Sequence, residues 1–140
     1  MDRLARFEAL TVIPERAAVG LAELVLDGSL PDIAVISPPT VGMVMARAAD
    51  GARGEVFNLG EVLVTEARVS VNGHEGWGMV IGRAPDHALS VAIVDAGLEA
   101  GHPQQASIEA QLAALAAEAA QTADQEWQRV APTRVQFDVF

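Results

Sequence analysis

The sequence predicts an α+β fold, in which an antiparallel sheet of about four strands carries N-terminal and C-terminal helices mainly on one face. Helical patterns come first, strand patterns follow in one run, and helical patterns return at the end. Asn72-Gly73 lies between two strand-like segments and is the strongest short signal for a type I′ hairpin turn. Strands do not alternate with helices, so a parallel sheet is not expected.

The helices are predicted from apolar residues at helical spacing. The first helical region runs from Leu4 to Leu26 and should break near Pro14, because proline is tolerated only in the first turn of a helix. Two more helices are predicted over Pro85–Leu98 and Gln105–Trp127. The last of these carries an apolar stripe suited to helix packing, made of Ile108, Leu112, Leu115 and Ala119.

Strands are predicted between and after these helices. A short strand, Ile33–Ile36, should end at Ser37-Pro38-Pro39, and Val41–Ala48 is the next candidate. Asp50–Gly54 has the composition of a turn. The alternating segment Arg134–Phe140 is predicted to close the sheet.

The segment Phe57–Arg83 is predicted to be one long hairpin. A two-residue turn sets the register and places Gly76, Gly78 and Gly82 on one face. Glycine inside a strand often marks the close approach of another backbone. We therefore expect the helix over Ala88–Ala96, with alanines at positions 88, 92 and 96, to pack on that face.

The opposite face of this hairpin has a mixed composition. It carries Arg68 across from Trp77, a pair with the geometry for a cation–π contact of about 0.5–1 kcal/mol. Tryptophan, methionine and arginine together are typical of a protein interface. A merely amphipathic outer face explains the same composition equally well.

Composition limits the classes of function. The chain has 140 residues, which predicts a single domain over 1–140, and its net charge of −10 argues against binding nucleic acid or an anionic membrane. It has no cysteine, no long apolar run and no signal-peptide pattern near Met1, so a cytoplasmic protein is expected.

Candidate chemistry is confined to one helix. Asp86, His87 and Asp95 could form a metal or acid–base site, although Asp86 also suits the start of a helix and His87 a surface position. Asp95 is the single charged residue between His87 and Glu99. A structural ion pair with Arg83 or Arg134 is favoured over a ligand-binding role.

The residues also carry a family resemblance over Ile33–Asp95 and again at the C-terminus. Its most specific parts are Phe57-Asn58-Leu59-Gly60-Glu61, Val64-Thr65-Glu66-Ala67, Gly73, Gly76, Gly82-Arg83, His87-Ala88, Asp95-Ala96 and Arg134-Val135-Gln136-Phe137. The chain resembles the PhnG family, the smallest subunit of the bacterial carbon–phosphorus lyase core complex. It departs from the family pattern at Ala84-Pro85, where relatives have aspartate after the Gly-Arg pair.

The resemblance implies a non-catalytic subunit that acts with subunits of the I, H and J types. It implies support for a first step in which a phosphonate displaces adenine from ATP, both being substrates of the complex. It assigns no cofactor to this chain, because the iron–sulfur cluster and S-adenosylmethionine belong to the J-type subunit. The isolated chain could form a homodimer.

The resemblance and the residue chemistry together select ten candidate positions, either structural or at an interface. They are Gly60, Glu61, Thr65, Arg68, Trp77, Gly82, Arg83, His87, Asp95 and Arg134.

Two other classes of function stay open. One is a small metal-assisted hydrolase or transferase that uses Asp86, His87 and Asp95, and the other is a free-standing binder of small molecules.

Overall fold

The computed structural model describes residues 1–27 and 32–130, and within them the fold is α+β as predicted. The three strands of this part form one antiparallel sheet in the order β1-β2-β3. The predicted closing strand Arg134–Phe140, with the candidate Arg134, lies outside the described residues. The elements are α1 (Arg3–Val12), α2 (Glu15–Leu26), β1 (Ile33–Ala49), β2 (Val56–Val71), β3 (His74–Ile81), α3 (Pro85–Glu99) and α4 (Gln105–Val130).

The N-terminal helical region breaks at Pro14, as predicted. The side chain of Asp2 caps α1 by accepting the backbone N–H of Ala5 at 2.7 Å. Ile13 and Pro14 are extended, and α2 begins at Glu15, where a carboxylate suits the positive end of the helix dipole. The two helices are therefore separate elements that can pack at different angles.

The prediction that Ser37-Pro38-Pro39 ends a strand is wrong, because β1 runs unbroken from Ile33 to Ala49. Register shifts between Val35 and Ser37 and between Ser37 and Thr40 accommodate the extra residues. β1 is an edge strand, and an edge strand tolerates proline because half of its N–H groups face away from the sheet. Because of this continuity, the described part of the chain has three strands where about four were predicted.

The hairpin between β2 and β3 follows the predicted register. Asn72 and Gly73 both have positive φ, at 49° and 83°, as a type I′ turn requires. Val71 pairs with His74, and the ladder continues to Val64 opposite Ile81. The two turn residues therefore fix the register of the hairpin, and with it the side chains that face the helices.

α3 lies on the glycine face of this hairpin as predicted at Gly76 and Gly78, but not at Gly82, where nothing lies within 4 Å of a Cβ. A Cβ atom at Gly76 would overlap the backbone of Ala92 and Ala96, and one at Gly78 would overlap the backbone of Ala88 and Ala92. The backbones of helix and sheet are thus in direct contact. The side-chain layer that normally separates a helix from a sheet is missing at these two positions.

α3 is the centre of the core. Every residue from Ser90 to Leu98 is buried, as expected for a helix that is apolar nearly all round. α1 and α2 pack against it, with Val25 of α2 directly on Gly97, and α4 packs against α1 and α2. The predicted stripe of α4 contributes the fully buried Ile108 and Leu112, with Leu115 partly buried beside them.

We predict that Gly76→Ala destabilises the fold strongly, because the new methyl group meets helix backbone that cannot rotate away. Overpacking of this kind should lower the free energy of unfolding by about 3 kcal/mol. Gly42→Ala is the matched control, since nothing lies within 4 Å of a Cβ there. Urea denaturation of both variants checks this, and equal midpoints would contradict the close contact.

Candidate functional site

A two-stranded projection extends from the sheet and is largely exposed to solvent. β3 has 8 residues, whereas β1 has 17 and β2 has 16, so the paired ends of β1 and β2 extend past the last residue of β3. We call residues 41–63 the arm. Among the described residues no third strand pairs with it, and its apolar side chains are open to solvent.

One face of β1 continues the core face but has no cover. Val35 pairs with Val69 and Met43 pairs with Leu63, and paired residues point to the same side of a sheet. Val69 is fully buried beneath the helices, whereas Val35 is 53% exposed and Met43 is 55% exposed. We call the exposed residues on this face the β1 stripe, which consists of Ile33, Val35, Val41, Met43 and Met45.

The family-motif residues Gly60 and Glu61 lie in the arm. Gly60 has a φ of 142°, a conformation that favours glycine, and the register slips beside it between Ala46 and Arg47. Glu61 is exposed and pairs with Met45, so it lies on the face of the β1 stripe. The bulge reorients the end of the arm, where Val56, Phe57 and Leu59 are exposed.

An arm of this kind can bind a macromolecule through its exposed apolar side chains. A single protein chain rarely exposes a contiguous apolar patch of more than a few hundred Å² unless the patch is an interaction site. About half of its residues are valine, methionine, alanine or leucine, and its carboxylates are Asp50, Glu55 and Glu61. The sequence motifs pointed to Gly60 and Glu61 but did not indicate that this surface would be exposed.

Asp95 forms the second cluster, a buried ion-pair network that joins three elements. Its carboxylate accepts the Arg6 Nε–H at 2.9 Å, an Arg3 guanidinium N–H at 3.0 Å and the backbone N–H of Trp77 at 3.0 Å. Arg6 also pairs with Glu99 one helical turn further along α3. The network therefore attaches α1 and β3 to α3.

The prediction that Asp95 forms a structural ion pair is confirmed, but the proposed partner Arg83 is wrong. Arg83 is exposed, and the cations that pair with Asp95 come from α1. The sequence spacing could have predicted a buried Arg6, because Arg6, Leu10 and Ile13 lie on one helical stripe. All three are buried in the structure. An arginine on an apolar stripe implies a buried carboxylate partner.

The carboxylates of this network raise the pKa of Arg3, which favours the charged form that pairs with them. Hydrogen bonding to Asp95 raises the pKa of Arg3, and the nearby carboxylates of Glu99 and Glu75 add to the shift. A raised pKa means that the stabilisation is complete below the ordinary arginine pKa and is lost only as the pH rises through the folded-state value. The Arg3 contribution is thus constant across the neutral range.

The predicted pairing of Arg68 with Trp77 holds for the backbone register but not for the side chains. The two residues are opposite each other in the ladder. The ring of Trp77 stacks instead on Phe7, with centroids 4.9 Å apart and planes 7° from parallel. Arg68 donates to Glu75 at 2.8 Å, so the interface-like residues of this face are partly used within the chain.

Thr65 joins the hairpin to the start of α3. Its hydroxyl donates to the carbonyl of Gly82 at 2.6 Å and accepts the N–H of Ala84 at 3.0 Å. Gly82 has a φ of 88°, which favours glycine, and α3 begins directly afterwards at Pro85. Two candidate positions, Thr65 and Gly82, are therefore structural in this fold.

The structure does not bring Asp86, His87 and Asp95 together. Asp86 and His87 lie in the first turn of α3, and the eight residues from His87 to Asp95 correspond to about 12 Å of helix rise. Metal ligands must lie within about 2.0–2.3 Å of one ion, which this separation prevents. Within residues 1–27 and 32–130, no three histidines or carboxylates are grouped so that they could hold a metal.

Two further observations concern His87 and the helices as a group. The Nε2 atom of His87 is buried, and among the described residues it has no hydrogen-bond partner. In the same part of the chain, none of the helices combines the length and the hydropathy that crossing a bilayer demands.

Comparison with known proteins identifies relatives over most of the chain. A family model described as phosphonate metabolism protein PhnG matches residues 1–140. A relative from Rhizobium meliloti (strain 1021) is 34% identical over 125 residues, which covers 87% of this chain and 80% of the relative. That protein is named alpha-D-ribose 1-methylphosphonate 5-triphosphate synthase subunit PhnG.

We predict that Asp95→Asn lowers the free energy of unfolding by about 3 kcal/mol, because it leaves buried arginine charge without its main partner. Glu75→Gln removes one partner of an exposed pair and should cost less than about 1 kcal/mol. Urea denaturation at neutral pH measures both. Similar losses in the two variants would show that burial of the Asp95 network adds nothing.

We also predict that Thr65→Val destabilises the chain by about 1–3 kcal/mol, because the N–H of Ala84 and the carbonyl of Gly82 lose their buried partner. Thr65→Ser keeps the hydroxyl and should be the more stable of the two variants. Thermal unfolding followed by circular dichroism ranks them. A valine variant as stable as the parent chain would refute this role of the hydroxyl.

Proposed function

Because the chain belongs to the PhnG family, we propose that it is a non-catalytic subunit of a multi-subunit ribose 1-methylphosphonate 5-triphosphate synthase of organic phosphonate catabolism. The R. meliloti relative is named as a subunit of such a synthase. The role of this chain is to bind other subunits, and so to support the displacement of adenine from ATP by a phosphonate.

The observation that carries this proposal is the arm, which exposes apolar side chains along two paired strands. A chain that functioned alone would gain stability by covering them or by replacing them with polar residues. Two of the ionic residues among the candidate positions have structural contacts instead. Asp95 accepts hydrogen bonds from two arginines, and Arg68 pairs with Glu75.

The partners of this proposal are the I-, H- and J-type subunits of the complex, and its setting is the cytoplasm. ATP and the phosphonate are bound by the assembled complex. The iron–sulfur cluster and S-adenosylmethionine are assigned to the J-type subunit, so this chain requires no cofactor of its own.

The alternative of a metal-assisted hydrolase or transferase has less support. It needs Asp86, His87 and Asp95 at one centre, whereas α3 separates Asp95 from the other two along its axis. Asp95 is also bonded to Arg3 and Arg6, which compete with any metal for its oxygens. A free-standing small-molecule binder would not explain the exposed arm.

Co-expression of the tagged chain with the other synthase subunits of its own organism tests the proposal. We predict that a stoichiometric complex is recovered, and that its synthase activity with ATP and methylphosphonate is absent when this chain is omitted. The chain alone should be inactive, and Asp86→Asn should leave the activity of the complex unchanged.

Two results would contradict the proposal. One is a monodisperse chain that ignores every co-expressed subunit. The other is a purified chain that contains a stoichiometric metal and has hydrolase or transferase activity without partners.

A further inference from the structure

We propose that the β1 stripe is a docking surface for the apolar face of one helix, and that this helix comes from a different subunit of the synthase. This inference rests on the proposed function and names the surface and the partner chemistry by which it acts. The helix would lie along β1 beside α3, on the face of the sheet that the chain's own helices occupy.

The width of a helix explains why β1 is uncovered. Neighbouring strands are about 4.8 Å apart and a helix with its side chains is about 10 Å wide, so one helix covers about two strands. α3 covers β2 and β3, where Ala67, Val69 and Val80 are buried. Directly opposite Val69, on the uncovered strand β1, Val35 is half exposed. The uncovered strip is one strand wide, about half the width of a helix, so one more helix would cover it and extend past the open edge of the sheet.

The β1 stripe also offers a sizeable apolar surface. From their fractional exposures, its five side chains present on the order of 450 Å², within the range of roughly 300–600 Å² of the largest patches on single chains, which are often functional. The β1 stripe is contiguous with the core face, so a docked helix would extend the existing apolar layer. Methionines at positions 43 and 45 adapt readily to such a partner.

Charge favours a different polypeptide over a second copy of this chain. Each copy has a net charge of −10, and residues 40–66 alone carry four carboxylates and two arginines. Two such arms would bring like charge together, which opposes association. Glu61 is exposed on the face of the β1 stripe, so the complementary helix should carry arginine or lysine at its flank.

The test compares two glutamate substitutions on the same strand. Met43→Glu places a carboxylate on the β1 stripe, and Val44→Glu places one on the opposite face, where Val44 is 39% exposed and pairs with Val62. Each variant is tagged and co-expressed with the other subunits of the synthase. We expect Met43→Glu to reduce the recovered subunits about tenfold or more, because burial of an unpaired carboxylate is strongly unfavourable. Val44→Glu should recover them as the parent chain does.

Each outcome has one meaning. If the parent chain recovers the other subunits and Met43→Glu recovers them equally well, the docking inference is wrong while the proposed function stands. If the two variants lose the partners equally, the specific face is wrong. If the parent chain recovers none, the proposed function itself fails. Thermal unfolding of the purified variants verifies that both are folded.

Photo-crosslinking identifies the occupant without a disruptive substitution. A photoreactive methionine analogue at position 43, in the assembled complex, should join this chain to a helical peptide of another subunit. A cross-linked product with twice the mass of this chain would assign the stripe to a second copy. A cross-link within one chain would assign it to an internal segment, and either result overturns the proposal.

Discussion

The close contact between α3 and the glycines of β3 is the constraint on which the rest of the fold depends. Gly76 and Gly78 let the backbone of α3 approach the sheet so closely that no side chain fits between them. This contact fixes α3 over β2 and β3, α2 packs on α3, and α4 packs against α1 and α2. The helical layer is therefore displaced toward one edge of the sheet. β1, at the other edge, stays without cover.

The contact between α3 and the glycines of β3 also places Asp95 where its ion-pair network can form. α3 lies so low that the carboxylate of Asp95 reaches the backbone N–H of Trp77 on β3. Arg3 and Arg6 then attach α1 at that edge, and Phe7 stacks on Trp77. The ionic groups therefore stabilise the β3 edge of the molecule, while the apolar surface left for binding lies at the β1 edge. Stability and recognition use opposite edges of one sheet.

This division supports the proposed role of a small acidic chain as a non-catalytic subunit. The buried charges of Arg6 and Asp95 pair with each other, which leaves the exposed valines and methionines of the arm as the distinctive surface. Such a surface contributes binding free energy through desolvation and packing rather than through reactive groups. The PhnG family relationship and the geometry of the arm thus support the same kind of role.

The sequence by itself determined the elements whose causes are local. Asn72-Gly73 fixed the hairpin and its register, Pro14 separated the first two helices, and Gly76 and Gly78 indicated where α3 would lie. Tertiary structure decided the rest, because those outcomes depend on residues far apart in the chain. The partners of Asp95 lie about 90 positions away, the prolines of β1 are tolerated because β1 is an edge strand, and the exposure of Met43 follows from the strands that α3 covers. Local patterns specify which face of an element is apolar, but only the packed molecule decides whether that face is covered.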